Sequence, residues 1–172
     1  PNISEADEIF MLWWAWRTEL RITPLLKDHR AQIKDTVIWN AEQGLSITGP
    51  QLVRAEAKRT ELYHRMREFF QKYDFLVLPV SQVAPFSIDE EYPAEINGIK
   101  MNTYIDWQKS AYHISALGNP AISVPAGFTS DHLPVGIQIV GRHRDDFGIL
   151  QLAYAFEQKT QFAQRRPPIC SK

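Results

Sequence analysis

Gly118-Asn119-Pro120-Ala121-Ile122-Ser123-Val124-Pro125-Ala126-Gly127-Phe128-Thr129 and, after a short polar loop, Leu133-Pro134-Val135-Gly136-Ile137-Gln138-Ile139-Val140-Gly141-Arg142 decide the architecture of this chain. Ala121-Ile122-Ser123-Val124 reads as a short strand. In the second half Val135, Ile137 and Ile139 alternate with Gly136 and Gln138, the period of a strand with one more apolar face. The loop from Gly127 to Pro134 joins the two most simply as antiparallel neighbours. Upstream, Asn102 or Thr103 caps a helix to about Leu117, ended by Gly118 and Pro120. Downstream, Asp145 caps a last helix through Phe156, with Ile149, Leu152, Ala153 and Phe156 on one face.

Further out the period changes twice. Phe75-Leu76-Val77-Leu78 is a continuous apolar run, which predicts a strand buried on both faces and ended at Pro79. Before it, Leu52, Ala55, Leu62, Met66, Phe69 and Tyr73 hold one stripe of a helix that starts at Ser46 to Pro50 and runs to about Lys72. Glu61–Arg65 and Glu68–Lys72 are expected solvent-side pairs on it, worth roughly 0.2–0.5 kcal/mol each. A preceding helix spans about Lys27 to Gln43 and stops at Gly44. The first helix is expected to start at a Ser4–Asp7 capping pair and to carry Ile9, Leu12, Trp13, Trp16 and Leu20 on one face. Pro24 is expected to break it. Phe10, Met11 and Trp14 fall off that face, so the helix calls for cover on more than one side. Left uncovered, they predict self-association.

Three strands among five helices give an α/β class, with a mixed β-sheet covered by helices. Residues 1–73 are mainly helical, 74–160 carry strands and helices, and 161–172 form a tail. Between Ser81 and Asn102 lies a long loop with Pro85, Pro93 and an Asn97-Gly98 pair that reads as a tight hairpin turn. Its Phe86, Ile88, Tyr92, Ile96 and Ile99 favour an ordered loop over a pocket rather than a passive connector.

Several function classes drop out. The 172 residues fit one domain, and 19 basic against 20 acidic side chains leave no basic excess or stripe for nucleic acid. The most apolar run, Ile9 to Trp16, is far short of the ~20 residues a membrane span needs. Cys170 stands alone, so no internal disulfide asks for an oxidising compartment, and the cytosol is the expected location. His29, His64, His113, His132 and His143 are scattered singly, without metal-ligand spacing. No glycine-rich phosphate cradle is present, and no cofactor is expected. There is no G-x-S-x-G elbow. Asp106, Ser110 and His113 lie at helical spacing but lack oxyanion donors, and Ser130-Asp131-His132 is ordinary turn chemistry. Read from its residues alone, the chain contains no complete active site.

The paired block from Gly118 to Arg142 closely resembles the C-terminal block of amidase-signature enzymes. Asp145-Asp146, Ala155-Phe156-Glu157-Gln158-Lys159-Thr160 and Arg166-Pro167-Pro168 extend the likeness. Upstream, Tyr73-Asp74-Phe75-Leu76-Val77-Leu78-Pro79-Val80 resembles the family's Y-D-x-L-x-x-P-x strand, and Tyr104 with Asp106-Trp107 resembles the Y-x-D-W of one bacterial branch. The resemblance implies a metal-free hydrolase of amide C–N bonds, in which a Lys, a cis-serine and a nucleophilic Ser form an acyl-enzyme. Those residues belong to a G-G-S-S-G-G type region that no position here matches, so no catalytic residue is carried over. By the family's pattern, Ser123 is expected to belong to a scaffold strand.

What remains is part of the sheet and one wall of the substrate pocket, with Tyr104, Asp106 and Trp107 as candidate substrate-binding residues. A packed aromatic pair with a helix-start carboxylate is the competing account of those three. Ser115 replaces an asparagine common in the family, and His132 stands where glycine often precedes Leu-Pro. The start at Pro1-Asn2-Ile3, the over-apolar first helix and the small sheet raise the expectation of a C-terminal fragment, inactive alone and serving a small-molecule amide hydrolase. A non-catalytic binding or assembly module on the same scaffold is the alternative.

Overall fold

In the computed structural model, which describes residues 1–166, the quoted block folds as an antiparallel pair of strands. In chain order the elements are α1 (Ala6–His29), α2 (Asp35–Gly44), α3 (Gly49–Phe69), β1 (Leu76–Pro79), β2 (Glu95–Ile96), β3 (Ile99–Lys100), α4 (Lys109–Leu117), β4 (Ala121–Phe128), β5 (Pro134–Val140) and α5 (Asp146–Thr160). Single 3-10 turns occur at Arg30–Gln32, Asp106–Gln108 and Phe162–Gln164. The reading of 167–172, Cys170 included, lies outside the described residues.

The chain divides into two compact units, Pro1–Met66 with Ser115–Leu117, and Arg67–Ile114 with the chain from Gly118. In the first, α1 and α2 approach closely. A Cβ at Gly44 would collide with Glu19 Cβ and would sit 2.5 Å from the carbonyl oxygen of Ala15. Gly44 is therefore the last residue of α2 and a contact point, more than the helix stop it was expected to be. Asn40, 2% exposed, donates from Nδ2 to Thr18 Oγ1 at 2.9 Å across the same two helices. Ala6, Ile9, Ala15, Ile38, Ala41, Ala55, Leu62 and Met66 are buried. Phe10 stacks on Trp14 with centroids 5.7 Å apart, and Trp14 stays 43% exposed.

Three expectations for this unit are corrected. Pro24 does not end the first helix, which continues to His29. Proline removes one N–H and crowds the carbonyl four residues back. Here that carbonyl belongs to the exposed Leu20, where water can replace the missing donor. Consequently no helix begins at Lys27, and α2 starts at Asp35. At the head of α1, Glu5 occupies the cap position without a side-chain cap bond, and its carboxylate pairs with Arg65. Arg65 thus turns to Glu5 rather than serving only the expected Glu61 pair. Thr48 does mark the start of α3: its N–H and Oγ1 both donate to Gln51 Oε1, at 2.7 and 2.8 Å.

In the second unit the sheet order is β1-β5-β4, and both pairings are antiparallel. The α/β class holds, but the mixed pairing is not formed among the described residues. β5 is the central strand, with Leu76 opposite Val140 on one side and Ala121 opposite the same Val140 on the other. A register shift between Pro125 and Gly127 kinks β4. Ile139, Val124, Ile149 and Ala153 form a buried cluster, with Ile122, Ile137, Leu152 and Phe156 packed on it, so α5 covers one face. β1 was expected to be buried on both faces. It lies at a sheet edge, paired among the described residues with β5 alone, and the face that carries Val77 is left open, with Val77 50% exposed.

Local signals place the remaining turns. Asn97 and Gly98 have φ of 51° and 78°, the left-handed pair a two-residue hairpin needs between β2 and β3. Gly118 ends α4 at φ 70°. Asp145 Oδ1 accepts from Gly148 N at 3.0 Å and caps α5. Arg142 pairs with Asp74 at 2.8 Å.

Candidate functional site

The site grows from the end of β1. Gln138 on β5 is 6% exposed and lies on the face opposite to Ile137 and Ile139. Its Nε2 donates to Pro79 O at 3.1 Å and to Ser110 O at 2.7 Å. Ser110 Oγ in turn donates to Val80 O at 2.7 Å, and Lys109 N–H donates to Gln82 Oε1. Central strand, end of β1 and first turn of α4 are thereby tied through buried or half-buried polar groups, each satisfied as burial requires. The ties fix where the segment after Pro79 begins.

That segment walls a concavity of about 550 Å³, lined by residues 79–86, Trp107, Ala126 and 134–137. Its size suits a small-molecule site. Gly136 sits in a close-packed spot there, where a Cβ would meet Ser123 Oγ and Val124 O at 3.3 Å and Val80 Cγ2 at 3.5 Å. Phe86 packs edge-on against Trp107, centroids 5.3 Å apart and planes at 89°. The lining includes no Asp, Glu, Lys, Arg or His.

Of the three candidate residues, Trp107 lines this concavity, whereas Tyr104 and Asp106 do not. Asp106 closes the turn before α4. Its Oδ2 accepts from the N–H groups of Asn102 and Thr103 at 2.8 and 3.0 Å, and its Oδ1 from Thr103 Oγ1 at 3.0 Å. Tyr104 sits in the same turn, its carbonyl accepting from Gln108 Nε2 at 3.1 Å. Asp106 thus sets the backbone that presents Trp107. The carboxylate accepts from Asn102 and Thr103, the residues expected to cap the helix.

The Asp106, Ser110, His113 spacing does not assemble a nucleophile. The Ser110 hydroxyl is committed to Val80 O, and His113 lies edge-on to Tyr112 at 5.0 Å. Ser130, Asp131 and His132 form a hairpin turn in which Thr129 N donates to Leu133 O at 2.8 Å and His132 adopts φ 62°. That backbone explains why glycine suits this position. Among the described residues no three His, Cys, Asp or Glu side chains are placed to share a metal ion. No described helix is long and apolar enough to cross a membrane. Ser115 lines a different concavity, of about 530 Å³, with Trp13, Trp14 and Trp16 in the first unit.

Gln138 and Gln82 were not singled out by the sequence. A glutamine flanked by isoleucines is a recognisable signal for a buried polar tie. Gln82 carried none beyond its place in the loop.

Fold and concavity together define an α/β scaffold of the kind on which small-molecule sites are built. The Amidase family model matches residues 25–150, and the chain belongs to the amidase family. It is 34% identical over 142 residues to an acylamidase of Rhodococcus erythropolis, covering 82% of this chain and 30% of that protein. It is 35% identical over 114 residues to a glutamyl-tRNA(Gln) amidotransferase subunit of Thermodesulfovibrio yellowstonii, covering 66% of this chain and 22% of that one. A bacterial aryl acylamidase of the amidase-signature family superposes with a TM-score of 0.79 at 26% identity, over 97% of this chain and 37% of its own. The chain therefore spans about a third or less of the length of these relatives.

Proposed function

We propose that this chain is the C-terminal part of an amide hydrolase, contributing the sheet and one wall of the substrate pocket. One observation carries the reading: the chain matches the amidase family over residues 25–150, yet no G-G-S-S-G-G type segment occurs in its 172 residues. In this reading the Lys, cis-serine and nucleophilic serine come from the rest of a longer cytosolic protein. There a base-activated hydroxyl attacks the amide carbon, the amine leaves, and water hydrolyses the acyl-enzyme. Trp107 forms the wall, Asp106 acts as a positioning residue through the 102–106 turn, and Tyr104 borders the wall from that turn. The substrate is a small-molecule amide, in line with the name acylamidase carried by the Rhodococcus relative.

The test measures aniline release from acetanilide by the purified chain, alone and mixed with the complementary segment of the Rhodococcus acylamidase. No turnover alone and turnover on mixing is the expected result. Turnover by the chain alone, unchanged in Ser110→Ala and Ser123→Ala, would leave this account without a mechanism. Binding of acetanilide with no turnover in either preparation would favour a non-catalytic binding module.

A further inference from the structure

We propose that the concavity beside β1 accepts the uncharged aromatic part of an amide, and that Gln82 orients it by donating from Nε2 to an oxygen next to the ring. The proposal rests on the reading of that concavity as a pocket wall and names what the wall selects.

The lining decides the charge. With no ionisable side chain among the described residues that line it, the concavity offers a carboxylate or ammonium no opposite charge, and neutral hydrogen bonds alone would repay its lost hydration only in part. The aromatic pair decides the shape. Phe86 and Trp107 meet at 89°, an edge-to-face arrangement that a third ring can extend in the same geometry.

Gln82 decides the orientation. Its Oε1 accepts from Lys109 N–H, which assigns the oxygen and leaves the NH2 as the group still to be used. Among the described residues that NH2 has no acceptor, and Gln82 lines the concavity. A donor whose amide plane is already held by the first turn of α4 loses little freedom when a ligand oxygen binds it. Ser81 Oγ and Trp107 Nε1 are the other side-chain donors of the lining, so loss of the preference in the Gln82 variants is what assigns it to Gln82. Gln82 is thus a specificity-determining residue, apart from the bond-breaking chemistry.

Acetophenone and α-methylstyrene test this directly, since they share a shape and differ in a carbonyl oxygen against a methylene. Binding of each to the 172-residue chain is measured by ligand-observed NMR titration. The expected preference for acetophenone is about 3- to 10-fold, the range of one net hydrogen bond. Benzoate should bind more weakly than acetophenone. Gln82→Glu keeps an oxygen for Lys109 N–H but removes the donor, and should abolish the preference. Gln82→Met should do the same without adding a charge.

A preference that persists in both variants would overturn the role of Gln82 while leaving the wall reading intact. Equal binding of both probes by wild type and Trp107→Leu would show that they do not bind at this wall. That result, or no detectable binding, would overturn the wall reading and the inference with it.

Discussion

Arg65 on α3 holds the carboxylate of Glu5 through two hydrogen bonds of 2.9 and 3.0 Å, and its guanidinium also donates to the carbonyl of Asn2 at 2.7 Å. The segment entering α1 is thereby fastened to a helix far along the chain. The Arg65 hydrogen bonds hold the Glu5 carboxyl at about 2, down from an ordinary 4.5.

The pair sets an acid limit. A carboxyl with a depressed folded-state pKa contributes stability that is fully present above its unfolded value and is lost as pH falls through the folded one. The urea midpoint of wild type should therefore exceed that of Glu5→Gln by a constant margin above about pH 4.5. The margin should shrink below that and vanish near pH 2. Both side chains are about one-third exposed, so salt should narrow it as well. A margin that is flat from pH 7 to pH 2 would contradict this.

Gly44→Ala should destabilise the α1–α2 pair by about 1–3 kcal/mol, the usual cost of overpacking, because backbone of Ala15 stands in the way. Gly49→Ala is the control, since nothing lies within 4 Å of its new Cβ. Thermal melts of the two variants should differ accordingly.

Gln138→Leu should cost about 1–3 kcal/mol by leaving the carbonyls of Pro79 and Ser110 without their donor. Ser110→Ala removes a single neutral hydrogen bond and should cost about 0.5–1.5 kcal/mol. Chemical denaturation should return that order, and the reverse order would mean that the Gln138 amide is not the central tie.

His132→Gly should be neutral or slightly stabilising. Relief of the left-handed backbone is worth roughly 1–2 kcal/mol, offset by about 0.4–1 kcal/mol of extra freedom in the unfolded chain. Replacing Gly118, at φ 70°, with Ala should act in the opposite direction. Differential scanning calorimetry can check both signs.

What the sequence revealed was local. Asn97-Gly98, Gly118, Asp145 and the alternation of Val135, Ile137 and Ile139 each carry their own geometry, and each appears where expected. The errors fall where distant residues decide. Pro24 is tolerated within α1, whose packing against α2 can outweigh a local helix-breaking signal. Arg65 takes a partner outside its own helix. β1 reads as fully buried because its apolar run says nothing of where the sheet stops. At the candidate site, Trp107 was reached through a family pattern, whereas Gln82 gains meaning only from the backbone N–H of Lys109 beside it.

The position of β5 has a consequence for biosynthesis. β1 and β4 both precede it in the chain, and each enters the three-stranded sheet only by pairing with it. On a ribosome, then, neither strand has its sheet partner until residues 134–140 have emerged. Before that, two apolar strands wait with open edges, exposed to chaperones or to wrong pairings. A translation stall ahead of Pro134 therefore leaves β1 and β4 without the strand they pair with here, and a truncation of this chain at that point should yield aggregate rather than a smaller domain.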